Sequence, residues 1–147
     1  MRALIQRVRR TTITVEGKLI SQIPFGLAVY LGIREGDGEA QAAAIAKKIA
    51  QLRVFEDENG KMNLSVQDVK GEILLISQFT LYGDCSRGNR PSFTQAARPE
   101  TAEPLYLFVK ERLADCGVSV RTGIFGADMK IEQFNDGPVS ILFESEA

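Results

Sequence analysis

The segment Glu72-Ile73-Leu74-Leu75-Ile76-Ser77-Gln78-Phe79-Thr80-Leu81-Tyr82 is the strongest strand signal in the chain. Its aliphatic and aromatic residues suit a pleated, half-buried surface far better than a helix or a loop. A second run, Phe25–Ile33, is apolar on both of its alternating faces and predicts a central strand covered on both sides. Around these, Leu4–Val8 alternates, Thr12-Ile13-Thr14-Val15 is rich in β-branched residues, and Glu16-Gly17-Lys18 supplies a turn into Leu19–Ile23. Val118–Arg121, Met129–Phe134 and Pro138–Phe143 complete the expected strands.

Two stretches carry the helical period instead. Ala42, Ile45, Ala46, Ile49 and Leu52 form one apolar stripe opposite Lys47, Lys48 and Gln51, with Asp37 or Asp37-Gly38 as the expected N-cap. Ala102, Leu105, Tyr106, Val109 and Leu113 form another, with Pro99 near its start and Gly117 just past its end. Several strands, two principal helices and mostly hairpin-length connections predict an α+β fold: a mainly antiparallel sheet rolled toward a barrel. No repeat, low-complexity tract or linker interrupts the 147 residues, so residues 1–147 are read as a single domain.

Composition limits the chemistry sharply. There is no histidine, which excludes a Ser-His-Asp triad, a Cys-His dyad, an HExxH zinc site and an imidazole proton shuttle. The two cysteines, Cys85 and Cys116, are too few for a four-thiolate cage. Asp57–Lys61 is a turn signal without the spacing of a calcium loop. No metal and no cofactor are expected. Lys and Arg number 18 against 19 Asp and Glu, a balance that argues against wrapping a DNA duplex but not against gripping a nucleic-acid end. No run approaches the length of a membrane span, the opening Met1–Arg10 lacks a signal-peptide core, and a cytoplasmic protein with reduced thiols is expected.

Three polar segments stand out. Ser77-Gln78-Phe79-Thr80 is either a strand end whose hydroxyls satisfy local backbone or a place where hydroxyl, amide and N–H groups converge on a ligand. Asn135-Asp136-Gly137-Pro138 reads as a turn between two strands, with a Gly-Pro bond able to adopt cis. Gly83–Pro91, with Arg87, Arg90 and nearby Arg98, is a charged loop that could meet phosphates; Arg2, Arg7, Arg9 and Arg10 form a second basic cluster. Neither GxGxxG nor GxxxxGK[ST] occurs. Cys85 has no histidine to activate it as a nucleophile.

With Met1-Arg2-Ala3…Gln6-Arg7-Val8, Phe55–Leu64, Ser77–Leu81, Arg90–Phe93, Phe125–Met129 and Asn135–Val139 together, the sequence resembles the D-aminoacyl-tRNA deacylase family over essentially its whole length. Ser140 departs from the threonine usual there but keeps the hydroxyl. The resemblance implies a homodimer, tRNA carrying an aminoacylated 3′ end as partner, and hydrolysis of D-aminoacyl and glycyl esters. It implies catalytic Ser77, Gln78, Phe79 and Thr80, and substrate contacts from Gly137 and Pro138, a cis pair inserted from the other subunit. Met129 and Arg7 are further substrate-binding residues, Met129 expected to line the pocket and Arg7 to pin the Gly-Pro loop through its fork of donors. The resemblance also points to the 2′-hydroxyl of the terminal adenosine as the activating group, which the absence of histidine fits, and backbone N–H groups at Phe79 and Thr80 are the expected oxyanion donors. Alternatives are a non-catalytic dimeric RNA-end binder and a small hydrolase built on Cys85.

Overall fold

The computed structural model describes residues 1–146. In chain order the elements are β1 Arg2–Val15, β2 Lys18–Ile23, β3 Gly26–Gly32, α1 Glu39–Gln51, β4 Phe55–Glu56, β5 Met62–Leu64 and β6 Glu72–Ser77. A short 3₁₀ turn, Phe79–Tyr82, follows, then α2 Pro99–Asp115, β7 Ser119–Thr122 and β8 Lys130–Glu144. The main sheet runs β2-β1-β3-β6-β7, with β8 on the other edge of β1. Pairing of β1 with β2, β3 and β8 is antiparallel, whereas β3–β6 and β6–β7 are parallel.

β1 is long enough to serve two neighbours in succession. Its first half, Arg2–Val8, pairs with β3 and its second, Thr11–Val15, with β2. The Ser21 hydroxyl of β2 donates to the Thr122 carbonyl of β7, so the two ends of the sheet meet and the barrel nearly closes. Period-two alternation then sorts the core into two compartments. Leu27, Val29, Leu31, Ile73 and Leu75 face the helices, against Ile45 and Ile49 of α1 and Val109 and Leu113 of α2. Ala28, Leu74 and Ile76 point the other way, into the barrel with Val8, Ile13 and Ile23. That double burial is why both runs are apolar throughout.

Four local readings differ from the expectations. The two early runs and the residues between them are one strand, β1. α1 starts at Glu39 with Gly38 as N-cap, so the Asp37-Gly38 expectation holds for Gly38 alone, whose N–H donates to the Gln41 side chain at 2.8 Å. Asp37 is engaged elsewhere: it accepts from the Arg34 N–H at 2.7 Å and pairs with the Met1 ammonium at 2.8 Å. The strand expected to reach Tyr82 stops at Ser77. Finally, Asn135–Pro138 does not separate two strands but lies inside β8. Gln6 pairs with Ser140 and Val8 with Asn135, so Asp136–Val139 all stand opposite Arg7 alone. The turn signal marks a bulge, and pairing to β1 on both sides, with a second register shift between Val8 and Arg10, carries the strand through it.

Candidate active site

β6 ends at Ser77 beside Leu31 of β3, at the carboxyl edge of the parallel strands. The Gln78 N–H makes the last ladder bond, to the Leu31 carbonyl at 2.8 Å, and the chain then tightens into the 3₁₀ turn. Gly32 permits this: a Cβ there would lie 3.0 Å from both the Gln78 carbonyl oxygen and the Leu81 Cβ. The first intra-turn bonds are donated by Leu81 and Gly83, so the N–H groups of Phe79 and Thr80, which open the turn, have no acceptor within it. The Gln78 amide donates to the Thr80 hydroxyl. Phe79 leaves 57% of its surface exposed.

A cavity of about 580 Å³ opens beside this turn. Ser77, Gln78 and Phe79 form one wall, Met129 and the Phe125–Asp128 loop another, and Phe93 with Ala96–Pro99 the third. Arg98 and Asp128 are the charged residues on the walls, and Asp128 is paired with Lys130 at 3.1 Å. The rest is mainly aliphatic or aromatic, suited to a flat organic group with a few directed polar contacts.

The turn is anchored from behind by Arg2. Its Nη1 donates to the Leu81 carbonyl at 2.7 Å, its guanidinium lies 4.6 Å from the centre of the Tyr82 ring, and Nη2 meets Glu144 Oε2 at 3.2 Å. Burial and the Glu144 carboxylate push the Tyr82 phenol above its ordinary range. Burial would also raise Glu144, but the hydrogen bonds and charge of Arg2 outweigh it and hold this carboxyl below its usual value. Arg2, grouped by sequence with the basic cluster of Arg7, Arg9 and Arg10, is therefore committed to holding the turn.

A second polar assembly surrounds the β8 bulge. Arg7 is 7% exposed; its Nη1 donates to the Val54 carbonyl at 2.8 Å and its Nε to the Asp136 carbonyl at 3.0 Å. The Asp136 carboxylate lies 3.6 Å from both Arg7 Nε and Arg9 Nε, and Glu56 approaches Arg7 at 3.9 Å. Gly137 holds φ at +132°, a conformation open mainly to glycine, and a Cβ there would stand 3.2 Å from Arg7 Nη2 and 2.9 Å from Val139 Cγ2. The Gly137–Pro138 bond is cis.

Thus Ser77, Gln78, Phe79 and Met129 line one cavity, with Thr80 on the adjoining turn, while Arg7, Gly137 and Pro138 gather elsewhere and do not line it. Cys85 is exposed on the neighbouring loop, outside the cavity wall. Sequence reasoning assigned no task to Phe93 or to Phe125–Asp128, although both stretches belong to the motifs that carry the resemblance. Their period is that of loops, which reveals nothing about which wall they build.

The D-Tyr-tRNA(Tyr) deacylase family model matches residues 4–144. A D-aminoacyl-tRNA deacylase of Bacillus cytotoxicus is 54% identical over 146 residues, covering 99% of this chain and 100% of the relative. One from Bacillus cereus is 53% identical over the same coverage. Among solved structures, a c-Myc DNA Unwinding Element Binding Protein superposes with a TM-score of 0.93 at 43% identity, with 100% of each chain covered. A chain described as a "probable eukaryotic D-amino acid tRNA deacylase" shares the fold, with a TM-score of 0.81 at 16% identity, covering 97% of this chain and 98% of the other. Together with a histidine-free cavity edged by unengaged backbone donors, these matches define a hydrolase acting on aminoacyl-tRNA. The chain belongs to the D-aminoacyl-tRNA deacylase family, and the reaction is release of a D-amino acid from its tRNA ester. No helix among the described residues is long and apolar enough to cross a membrane.

Proposed function

We propose that the cavity beside Ser77–Thr80 receives the terminal adenosine and its ester, and that the Gly137–Pro138 bulge of a second copy closes it as a chiral gate. The observation that carries this reading is the separation just described: the bulge is clamped by Arg7 yet lies outside its own chain's cavity. A homodimer reconciles the two. Among the described residues β8 pairs with β1 along one edge only, and Phe134 and Leu142 of β8 are 63% and 61% exposed, leaving an apolar strand edge for a partner to cover. Gln6 donates to the Ser140 hydroxyl at 3.1 Å, so serine at this position is engaged as a hydrogen-bonding group beside that edge.

An aminoacyl ester is already activated, and its hydrolysis needs positioning and oxyanion stabilisation more than a strong protein base. The N–H groups of Phe79 and Thr80 would receive the developing oxyanion; one such donor contributes about 10²–10³ in rate. Thr80 is a poor nucleophile here, because its hydroxyl is bound by the Gln78 amide and the chain has no histidine to serve as its base. The 2′-hydroxyl of the adenosine takes the activating part. The main-chain carbonyls of Gly137 and Pro138 exclude an L side chain while leaving room for a D side chain or for hydrogen, so discrimination needs no side-chain pocket and glycyl-tRNA is accepted. The work belongs in the cytoplasm, where charged tRNA is used. A non-catalytic RNA-end binder would need the same cavity but would leave the ester intact.

Hydrolysis of matched L- and D-tyrosyl-tRNA by wild type and Pro138→Ala tests the gate, and a terminal 2′-deoxyadenosine carrying the ester on its 3′-oxygen tests the activating group. The expected outcomes are gain of L-ester hydrolysis by the variant and loss of turnover, with binding kept, on the deoxy substrate. Unchanged discrimination removes Gly137–Pro138 from this role; full turnover on the deoxy ester removes the 2′-hydroxyl.

A further inference from the structure

Between the 3₁₀ turn and α2 runs a loop, Gly83–Arg98, whose Phe93 and Ala96–Arg98 help wall the cavity but whose arginines ester hydrolysis leaves without a task. It is a fixed structure. Asp84 and Ser92 exchange two backbone hydrogen bonds of 2.8 and 2.9 Å, and its far end is tied down by Glu35 N–H to the Gln95 carbonyl and Ala97 N–H to the Ile33 carbonyl, each 2.9 Å. Within it stand Arg87, Arg90 and Arg98 against one carboxylate, Asp84, in a chain whose net charge is −1. That carboxylate already accepts from the Ser86 N–H at 2.9 Å. Among the described residues the ion-paired arginines are Arg2, Arg7, Arg9, Arg112 and Arg121, so these three cations are unspent. Arg34, whose backbone bridges to Ala96, adds a fourth, while Glu35 and Glu100 are the adjoining acids.

An aromatic pair completes the rim. Phe93 is 37% exposed and meets Phe79 edge-on, ring centres 5.2 Å apart at 71°, at the mouth of the cavity. Exposed rings interleaved with unpaired guanidiniums are the chemistry that holds single-stranded nucleic acid: the ring stacks a base and the cations meet the backbone phosphates. We propose that Gly83–Arg98 seats the unpaired nucleotides preceding the esterified one, with Phe93 stacking a base and Arg87, Arg90 and Arg98 contacting phosphates. The proposal rests on the reading of the cavity as the ester site.

The test compares kcat/KM for a D-tyrosyl ester on intact tRNA with that for the same ester on adenosine alone. Arg87→Gln/Arg90→Gln should lower the tRNA-to-adenosine ratio about tenfold or more, and flatten the slope of log kcat/KM against log salt on tRNA by about 1.4, or 0.7 for each single-strand phosphate lost. Phe93→Leu should lower the ratio about fivefold or more. A ratio unchanged in both variants overturns the proposal. Should the wild type cleave neither ester, the cavity reading has failed, and the rim is judged by binding of an uncharged RNA pentanucleotide ending in CCA. There, tenfold weaker binding by the double variant upholds the rim, and equal binding overturns it. Tighter binding of the DNA pentanucleotide of the same sequence also overturns its assignment to an RNA end.

Discussion

Arg7→Met separates the clamp on the β8 bulge from everything else the structure does. The guanidinium is nearly buried and donates to the Val54 carbonyl at 2.8 Å and the Asp136 carbonyl at 3.0 Å. Hydrogen bonds from a charged group contribute about 1.5–3 kcal/mol each, and an acceptor left buried without a donor costs about 1–3 kcal/mol. These describe the same loss from two sides, so they are not summed. Glu56 is 60% exposed and adds little to the pair, and Asp136 keeps Arg9 at 3.6 Å. Methionine restores part of the apolar packing of the arginine stem. The net cost is about 3–4 kcal/mol, a large share of the ~5–15 kcal/mol typical of a domain. With a urea slope of about 2 kcal/mol/M, the unfolding midpoint falls by about 1.5–2 M at fixed protein concentration. The same samples are then assayed below the transition on D- and L-tyrosyl-tRNA, where rejection of the L ester weakens. A midpoint within about 0.5 M of wild type refutes the clamp. A lowered midpoint with undiminished L rejection refutes the link between clamp and gate.

Two further outcomes follow from the same structure. Thr11 is fully buried and its hydroxyl has no partner among the described residues, so Thr11→Val, nearly identical in shape, should stabilise the protein by about 1 kcal/mol; a thermal midpoint raised by about 2–4 °C supports this, and a lowered one refutes it. Stability should also fall in acid. The Lys61 N–H holds the Asp57 carboxyl below its ordinary 3.8, the Ser86 N–H does so for Asp84, and Arg2 overcomes burial to hold Glu144 below 4.5. Carboxyls depressed by folding stabilise above their unfolded values and lose that contribution as pH drops through the folded ones. Urea midpoints should therefore be insensitive to these groups from pH 7 to about 5 and decline below about 4.5. A midpoint that rises as pH falls toward 3 contradicts the assignment.

The parts of the fold that depend on one element and its two faces were legible in the residues. Every stripe residue chosen in α2, from Ala102 to Leu113, is buried, as are Ala42, Ile45, Ala46 and Ile49 in α1. The run Phe25–Ile33 contains a strand buried on both faces because helices cover one and the barrel interior the other. What failed were two boundaries that pairing decides, whereas the Glu16–Lys18 turn between β1 and β2 was read correctly. Phe79 and Leu81 continue the period of β6, yet the chain leaves the sheet after Ser77, placing Phe79 at the cavity mouth. Asn135–Pro138 has every local mark of a turn, but pairing to β1 above and below makes it a bulge.

The chemistry divides along the same line. Composition alone removed imidazole and metal-cage catalysis, and the Ser77–Thr80 and Asn135–Pro138 motifs were identifiable as residues of interest without coordinates. Only the tertiary structure joined Ser77–Phe79 to Met129 and Phe93 around one cavity, set Arg2 behind the turn, and held Gly137–Pro138 away from that cavity. Periodicity reports the environment one element demands of its own two sides, which the chain encodes locally. Which distant loops share a wall depends on strand register and packing, where a shift of one residue reverses every side chain.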